Sequence, residues 1–348
     1  MFFTRELMEK RQSRMLKLSI CIPTYNRAIY LKQCLQYLFP QVKNLSSVEV
    51  VISDNASTDE TALIVKEYIG ENIKYFRNSR NFGYAGNQIE CIKHAQGNYL
   101  AILCDDDIYT HGLVQKILEV IKKNEYAFIA LNYYSFRENV DKPHLINFAP
   151  EKDVIFQRAY DIMNYPSVGH FSGFIFNTKL AKEMLPKILI VHPLTYYEKH
   201  RGIISSIVVR LTLGTNLPSF FIGERKLATR DPQTVDYNVL KNGCLDYYEF
   251  YEEFYSEGLI TRKDLEYRKK LVLSWIPFAI AKDSYVFTDR EIAVMRRTFF
   301  KYFKRELKFI LYIYPLLLLA SFWPIRRFYR LIFDLKQILR HIKKRFFS

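Results

Sequence analysis

The chain has 348 residues, 49% of them hydrophobic, so it can bury a sizeable core and is not a disordered protein. Its length exceeds that of one typical compact core, which predicts a large domain with appendages. Lysine and arginine outnumber aspartate and glutamate by 51 to 36, and the net charge of +15 indicates an anionic partner: nucleic acid, an anionic membrane surface or a phosphorylated substrate. The five cysteines lack metal-ligand spacing, which favours reduced cysteines in a cytosolic protein.

Apolar patterns typical of strands and helices alternate along the first part of the chain. Strands are predicted at 16–22, 48–53, 73–76, 99–104 and 126–131, and helices at 29–39, 59–69, 84–95 and 111–123. Ser57 and Glu60 have the spacing of a capping box at the start of the second helix. The alternation predicts an α/β fold, with a mostly parallel sheet flanked by helices on both faces.

Polar residues follow the predicted strands or open the next helix, at Thr24–Arg27, Asp54–Asn55, 78–87 and Asp105–Asp107. Because the ends of parallel strands share one edge of a sheet, we expect these segments to form a site for a nucleotide diphosphate. No glycine-rich phosphate loop follows the first strand. This absence argues against both a dinucleotide-dependent dehydrogenase and a P-loop enzyme.

Three consecutive carboxylates, Asp105–Asp107, end the strand that begins at Tyr99. Removing each charge from water costs several kcal/mol, and the three carboxylates repel one another unless a cation lies among them. Oxygen ligands suit a hard divalent ion, so the sequence predicts a Mg²⁺ or Mn²⁺ site here. The alternative is a solvated turn in which one aspartate caps a helix.

The C-terminal part differs in composition. Residues 309–325 are almost wholly apolar, and their length is marginal for spanning a bilayer of about 30 Å. Apolar residues then repeat at helical spacing over 328–346, with lysine and arginine between them, which is typical of an interfacial membrane anchor. A core helix of a helical tail and a dimer face are the alternatives. No nucleic-acid-binding motif is visible, so nucleic acid is not the predicted partner.

Four motifs together resemble the family 2 glycosyltransferases of the GT-A fold: residues 18–27, 50–59, 81–87 and 99–107, in the same order and spacing. His170–Asn177 resembles the acceptor-side strand of the abequosyltransferase-like branch, which is found in bacterial surface-polysaccharide clusters. The resemblance implies a Rossmann-like sheet, a nucleotide-sugar donor carried on UDP, dTDP, CDP or GDP, a divalent metal on the diphosphate, and inversion at the anomeric carbon of the transferred hexosyl group.

The resemblance also implies roles for individual residues, although each of them could instead be a turn or cap residue. Pro23, Thr24, Tyr25 and Arg27 would line the nucleoside pocket, and Asp54 would accept a hydrogen bond from the base. Asn81, Gly83 and Asn87 would lie near the ribose and diphosphate. Asp105 and Asp106 would face the donor, and Asp105, Asp106 and Asp107 would hold the metal ion.

Two positions depart from the family pattern. Cys104 stands where many members have the first aspartate of the metal motif. Family members often carry a Glu-Asp pair before a helix that ends in Arg-Leu-x-x-x-Gly, but Ile203 and Ile204 occupy those positions ahead of Arg210–Gly214. The usual base is therefore missing from its usual place. The candidates for that role are Glu198, His200, His192 and His170, with Glu198 favoured because it is nearest in sequence.

The domain organisation expected from these features has four parts: an N-terminal extension 1–15, a catalytic domain 16–230, a helical region 231–308 and a membrane-anchoring tail 309–348. The catalytic domain divides into a donor half, 16–131, and an acceptor half, 132–230.

The predicted function is transfer of a sugar to a lipid-linked saccharide in bacterial surface polysaccharide synthesis, at the cytoplasmic face of the inner membrane, with peripheral or monotopic attachment. Two alternatives are a membrane-bound regulatory module that binds a nucleotide-sugar without turnover, and a sugar nucleotidyltransferase. The second should carry a glycine-rich, arginine-containing loop after the first strand, and Pro23–Arg27 contains no glycine.

Overall fold

The computed structural model describes residues 16–70, 72–146, 149–165, 168, 170–191, 203–231, 239–284, 287–322, 324–328 and 331. The predicted extension 1–15 lies outside them. The chain divides into two compact units, Met1–Gln233 and Thr234–Ser348.

The first unit contains one ten-stranded sheet. Its strands are β1 (Leu18–Thr24), β2 (Val48–Asp54), β3 (Ile73–Arg77), β4 (Tyr99–Ile102), β5 (Ile108–Tyr109), β6 (Phe128–Phe136), β7 (Leu145–Ile146), β8 (Val154–Phe156), β9 (Phe174–Asn177) and β10 (Ser219–Arg230). Its helices are α1 (Ala28–Val42), α2 (Thr61–Lys66), α3 (Gly83–His94), α4 (Leu113–Lys123), α5 (Thr178–Val191) and α6 (Ile203–Leu213).

The strand order is β3-β2-β1-β4-β9-β6-β10-β5, with β7 beside β6 and β8 beside β10. Strands β3, β2, β1 and β4 are parallel, as predicted. Strand β9 is antiparallel to both of its neighbours and joins this parallel half to the parallel pair of β6 and β10. The expectation of a mostly parallel sheet flanked by helices is confirmed.

The strands that carry the predicted site residues are buried on both faces. Every residue of β2 is buried, and six of the seven residues of β1 are. A β-branched run such as Val50–Ile52 favours a strand of this kind because its side chains pack on both faces of the sheet, while Glu49 before it pairs with Lys74. Helix α1 covers one face with Leu31, Leu35 and Leu38, which recur at helical spacing.

Three local predictions were wrong. The capping box does not form, because the Ser57 hydroxyl accepts a hydrogen bond from the Asn26 N–H while Asp59 accepts one from the Thr61 N–H. Helix α1 continues two residues past Pro40, since Val42 is fully buried and its packing offsets the lost backbone bond. Strand β6 runs to Phe136, because Tyr133–Phe136 pair with β10 beyond a register shift.

The second unit is helical, as predicted. It contains a π-helix at Val239–Asp246, then α7 (Tyr247–Ser256), α8 (Arg262–Asp283) and α9 (Asp289–Phe303), a second π-helix at Phe309–Ile313, and α10 (Tyr314–Leu319). Capping boxes at Thr261 and Thr288 begin α8 and α9.

The apolar stretch predicted at 309–325 forms the second π-helix and α10. Within the described residues, no helix has both the length and the apolar character that a membrane crossing requires. Most of the amphipathic pattern at 328–346 lies outside the described residues.

Candidate active site

The carboxyl ends of β1, β2 and β4 meet at one edge of the sheet. Thr24 pairs with Asp54 at the end of the β1–β2 ladder, and the Asn55 N–H donates to the Thr24 carbonyl at 2.9 Å. The Thr24 hydroxyl donates to Oδ2 of Asp105 at 2.7 Å, which ties β1 to the residues that follow β4. The structure therefore brings three predicted site residues together.

The loops after β1 and β2 are linked to each other. Oδ1 of Asn26 accepts a hydrogen bond from the Thr58 N–H at 2.7 Å, and Oδ2 of Asp59 accepts one from the Ala28 N–H at 3.0 Å. Asn26 and Ala56 have positive φ angles of 52° and 64°. For alanine this conformation costs about 1–2 kcal/mol, so the surrounding bonds must hold it in place.

Asp54 is fully buried and accepts hydrogen bonds at both of its oxygens. Oδ1 accepts from the Ser57 N–H at 2.8 Å. Oδ2 accepts from the Tyr75 hydroxyl at 2.5 Å and from Nη1 of Arg77 at 3.2 Å. The guanidinium of Arg77 supplies one positive charge for this one carboxylate, so the charge of Asp54 is balanced within the protein.

Asn55 holds the loop that contains Asn81 and Gly83. Its Nδ2 donates to Oδ1 of Asn81 at 2.7 Å and to the Gly83 carbonyl at 3.1 Å. Oδ1 of Asn81 also accepts from the Gly83 N–H at 2.8 Å. Gly83 begins α3 with a φ of +77°, a conformation that glycine adopts without steric cost.

Asn87 lies one turn further along α3 and is 3% exposed. Its Nδ2 donates to the carbonyls of Thr24 and Ser53, at 3.2 and 3.0 Å. Its Oδ1 accepts from the Ser53 hydroxyl at 2.7 Å and from Nδ2 of Asn78 at 3.1 Å. The side chain thus fixes the ends of β1 and β2 against α3.

Asp105 is 4% exposed and lies against β1. Nε of Arg27 is 3.2 Å from its Oδ1, opposite the Thr24 hydroxyl at Oδ2. Burial raises the pKa of Asp105 to about 7, with the Asp106 charge acting in the same direction and the Arg27 charge against it. Both oxygens of this carboxylate already have protein partners.

Asp107 is buried between two later segments of the chain. Its Oδ2 accepts from the Ser172 hydroxyl at 2.5 Å, and its Oδ1 accepts from the Arg230 N–H at 2.8 Å. Burial, reinforced by the charge of Asp106, raises its pKa well above the usual range. The carboxylate is therefore fixed by β10 and by the turn before β9.

Asp106 is more accessible than its two neighbours, and Nη2 of Arg27 is paired with its Oδ2. Donor atoms of Cys104, Asp106 and Asp107 all lie within 4.8 Å of one another, so one cation can contact all three. Asp105 and Asp106 both pair with the single guanidinium of Arg27, and Asp107 lies beside Asp106, so the excess negative charge of the three carboxylates fits a divalent ion. In this donor set Cys104 stands in the place that was predicted for Asp105.

His170 reaches the same site from the segment before β9. Its Nδ1 lies 3.5 Å from Oδ2 of Asp107, and its ring packs against Tyr133 with centroids 5.4 Å apart. Burial lowers the pKa of His170 to about 4, although the Asp106 charge acts in the opposite direction. The imidazole is neutral at pH 7 and is placed beside the carboxylates.

The other candidate bases, Glu198, His192 and His200, lie outside the described residues. Ile203 and Ile204 are fully buried at the start of α6, so these positions belong to the core. Pro23 and Tyr25 lie at the end of β1 and just beyond it, and the Tyr25 side chain is exposed.

Sequence reasoning missed several residues that hold the site. Ser172 orients Asp107 and also accepts a hydrogen bond from the Cys104 N–H at 2.9 Å. Tyr75 and Arg77 balance Asp54, and their place at the end of β3 could have indicated this from the parallel register alone. The contact of Arg230 with Asp107 left no sequence signal, since it comes from a backbone N–H 123 residues away.

Residues 19–184 match the family described as Glycosyl transferase family 2. Abequosyltransferase RfbV of Salmonella typhimurium is 40% identical over 93 residues, which cover 26% of this chain and 28% of the relative. GalNAc(5)-diNAcBac-PP-undecaprenol beta-1,3-glucosyltransferase of Campylobacter jejuni is 32% identical over 118 residues, which cover 32% of this chain and 37% of the relative. The chain thus spans less than half the length of these curated relatives.

Solved structures share the fold. S. aureus TarS 1-349 in complex with UDP-GlcNAc has a TM-score of 0.53 and 16% identity, covering 86% of this chain and 76% of that chain. The mannosyltransferase PcManGT from Pyrobaculum calidifontis, in complex with GDP-Man and Mn²⁺, has a TM-score of 0.50 and 12% identity, covering 96% and 88%. The expected GT-A architecture is confirmed.

Proposed function

We propose that the chain, whose residues 19–184 match the family 2 glycosyltransferases, is a member of that family and transfers a sugar from a nucleotide-sugar donor to a hydroxyl of a lipid-linked saccharide. The bond from the anomeric carbon to the diphosphate breaks, a bond from that carbon to the acceptor oxygen forms, and the configuration inverts. The nucleotide leaves as a diphosphate, and the hydroxyl proton passes to a base on the protein.

The observation that carries the proposal is the unbalanced charge at the carboxyl end of β4. Asp105, Asp106 and Asp107 follow a buried strand at the same sheet edge as the Thr24 and Asp54 backbones, and one arginine, Arg27, pairs with the first two of them. Desolvating three carboxylates for purely structural reasons would be costly. A cation and a diphosphate bound together would balance the charge and occupy this edge.

A divalent cation held by Asp106, Asp107 and Cys104 would offset the negative charge that develops on the departing diphosphate. The chain prepares this position before any ligand arrives, since Ser172 and the Arg230 N–H fix the Asp107 carboxylate. Carboxylate oxygens and a thiol favour Mn²⁺ over Mg²⁺, because Mg²⁺ demands oxygen ligands more strictly.

The nucleoside would lie over the ends of β1 and β2. Pro23, Thr24, Tyr25 and Arg27 would line its pocket, and the exposed Tyr25 ring is available to a base. Asp54 would accept a hydrogen bond from the base beside its pairing with Arg77. Asn81 and Gly83 would border the ribose and diphosphate.

Asn87 would act by positioning these loops, since both polar atoms of its side chain bond to residues of β1, β2 and the loop after β3. Its predicted place near the ribose and diphosphate would then follow from the loops that it holds.

His170 supports a role in catalysis because a neutral imidazole beside the carboxylates can accept a proton from the acceptor hydroxyl. Glu198 remains the other proposed base. Exchange of each residue for a non-titratable isostere, His170→Asn and Glu198→Gln, separates the two, since only loss of the base lowers kcat while leaving donor binding intact.

The proposed acceptor class draws on the relatives. The printed name of the Campylobacter jejuni relative gives a saccharide on undecaprenyl diphosphate as its substrate. We infer a saccharide acceptor of the same kind for this chain, used in bacterial surface polysaccharide synthesis at the cytoplasmic face of the inner membrane.

The testing experiment uses the purified full chain with UDP-, dTDP-, CDP- and GDP-sugars, with and without Mn²⁺. One donor should raise the melting temperature only with the metal present and should be hydrolysed or transferred. Asp106→Asn and Asp107→Asn should each lower turnover at least about 10²-fold. The matched control Glu119→Gln, on the exposed face of α4, should turn over like the unchanged chain.

Near-normal turnover in both aspartate variants would refute the metal assignment. Donor binding without hydrolysis or transfer to any acceptor would instead support the regulatory module, and formation of a nucleotide-sugar from a nucleoside triphosphate would support a nucleotidyltransferase.

A further inference from the structure

The segment from Leu307 to Phe322 in the second unit has two apolar faces. Phe309, Ile313, Leu317 and Ala320 recur at intervals of four, four and three residues and are fully buried. Six others are exposed, and we call them the outer apolar face: Leu307, Leu311, Tyr312, Leu318, Leu319 and Phe322. Leu307, Leu311 and Phe322 are 76%, 74% and 63% exposed, which is unusual for large apolar side chains within one short segment.

Polar contacts fix this segment against α9. Nη1 of Arg296 donates to the Ser321 hydroxyl at 3.1 Å. Arg326 is buried, donating to the Ala320 carbonyl at 3.2 Å and pairing with Asp289 at 2.6 Å. The ring of Tyr314 also packs on Phe300, with centroids 5.2 Å apart. One side of the segment thus packs against the other helices of the second unit, and the outer apolar face points away from those helices.

Exposed cations border the outer apolar face in sequence and acids are scarce. Lys304, Arg305, Lys308 and Arg327 are all exposed. Glu306 is the one acid among the described residues of 304–331, and it pairs with Lys269 at 3.4 Å. From 307 to 348 the chain has nine lysines and arginines but a single acid, Asp334.

We propose that the outer apolar face docks on an anionic lipid surface, with the Leu307–Phe322 segment lying in the plane of the headgroups. This rests on the proposed function only in its lipid-linked acceptor and names the surface that would meet the lipid. Apolar side chains enter the boundary between headgroups and acyl chains, where their burial is favourable, and the lysines and arginines remain at the level of the lipid phosphates.

The positive charge around the outer apolar face favours an anionic lipid surface over a second copy of this chain or its own C-terminal residues. A second copy of this chain would bring an equally basic rim against the first, and like charges at a desolvated contact are repulsive. Residues 332–348 of the same chain carry five lysines and arginines and one acid, so their return onto this face would meet the same repulsion. Anionic headgroups complement both groups of cations at once.

The experiment is flotation of the full-length protein with vesicles of phosphatidylcholine alone, and with about 30 mol% phosphatidylglycerol added. We expect binding to the anionic vesicles that weakens with added salt. The variant Leu307→Ser/Leu311→Ser/Phe322→Ser should bind the anionic vesicles at least about tenfold more weakly, because apolar burial is lost while every charge remains. These side chains are exposed, and circular dichroism would verify that the variant is folded.

The matched control is Leu63→Ser/Ile69→Ser/Leu145→Ser, which removes three exposed apolar side chains from the first unit. It should bind vesicles like the unchanged chain. Unchanged vesicle binding by the first variant would overturn the proposal, and so would absent binding by the unchanged chain. A dimer that the first variant converts to monomer in light scattering would overturn it in favour of a second copy. Donor binding measured on the same samples tests the glycosyltransferase assignment separately.

Discussion

The ends of β2 and β4 lie at the same edge of one sheet and handle negative charge in different ways. At the end of β2, one carboxylate, Asp54, accepts bonds from Ser57, Tyr75 and Arg77, so its charge is balanced locally. At the end of β4, Asp105 and Asp106 share Arg27 while Asp107 has no ion pair with it, and burial raises the pKa of both Asp105 and Asp107.

The two strand ends therefore differ in charge balance, because Asp54 has a cation of its own whereas the carboxylates after β4 outnumber the one arginine that pairs with them. A buried carboxylate with a full set of hydrogen-bond donors stabilises the fold. Substituting that carboxylate removes the contribution and lowers the free energy of unfolding. A buried carboxylate cluster with too few cations opposes folding until a cation arrives. We therefore expect substitutions at the two strand ends to differ in their main effect, which is on activity at the end of β4 and on stability, together with the proposed donor binding by Asp54, at the end of β2.

The largest expected effect is on turnover at the end of β4. Asp106→Asn should reduce metal-dependent donor turnover at least about 10²-fold, because a charge in the proposed donor set is lost. Its free energy of unfolding without metal should change by no more than about 0.5 kcal/mol, since one repulsion and one Arg27 pairing disappear together. Steady-state kinetics measure the turnover, and urea unfolding measures the free energy of unfolding. A large stability loss would remove the distinction between the strand ends.

Next is the loss of stability at the end of β2. Asp54→Asn should lower the free energy of unfolding by about 3 kcal/mol, because Arg77 and Tyr75 lose a buried partner. The control is Asp161→Asn, an exposed acid paired with Arg158, for which a change within about 0.5 kcal/mol is expected. If both variants unfold at the same urea concentration, Asp54 is not the structural carboxylate that its contacts indicate.

The pH dependence of the metal-free protein should have the sign set by Asp105. Its pKa rises from the usual 3.8 to about 7 on folding, so the folded state binds more protons than the unfolded state between these values. Stability from this group is therefore full below pH 3.8 and decreases as the pH rises towards 7, by about 4 kcal/mol. Urea unfolding at several pH values, compared with Asp105→Asn, isolates the effect. A variant with the same pH profile would contradict it.

The smallest expected effect concerns the positioning of Asp107. Ser172→Ala removes the hydroxyl that orients this carboxylate and should weaken Mn²⁺ binding about tenfold. Ser172→Thr retains the hydroxyl and should restore most of the affinity. Calorimetric titration of Mn²⁺ measures both, and the activity at saturating metal should be closer to normal than at low metal. Equal Mn²⁺ affinity in all three proteins would show that Ser172 does not act through Asp107.

Much of this arrangement was predictable because it depends on local pattern and parallel register. The strands before Thr24, Asp54 and Asp105 are runs of apolar residues, and parallel strands place their ends together. The contacts made by Ser172 and Arg230 were not predictable, since they depend on antiparallel β9 and on the register shift within β10. The capping box predicted at Ser57 did not form, because the Ser57 hydroxyl instead accepts a hydrogen bond from the Asn26 N–H in the loop after β1. A short motif does not show which neighbouring loop will contact its side chains.

The backbone N–H of Arg230 bonds to Asp107 across 123 residues, with consequences for biosynthesis. During translation the three aspartates leave the ribosome long before the two donors that fix the last of them. A nascent chain that ends near residue 131 contains the residues of β1 to β5 and the start of β6, but Asp107 is held by neither Ser172 nor Arg230. The proposed cation position would therefore be completed only when β10 inserts beside β6, so metal affinity would report whether that late strand has docked.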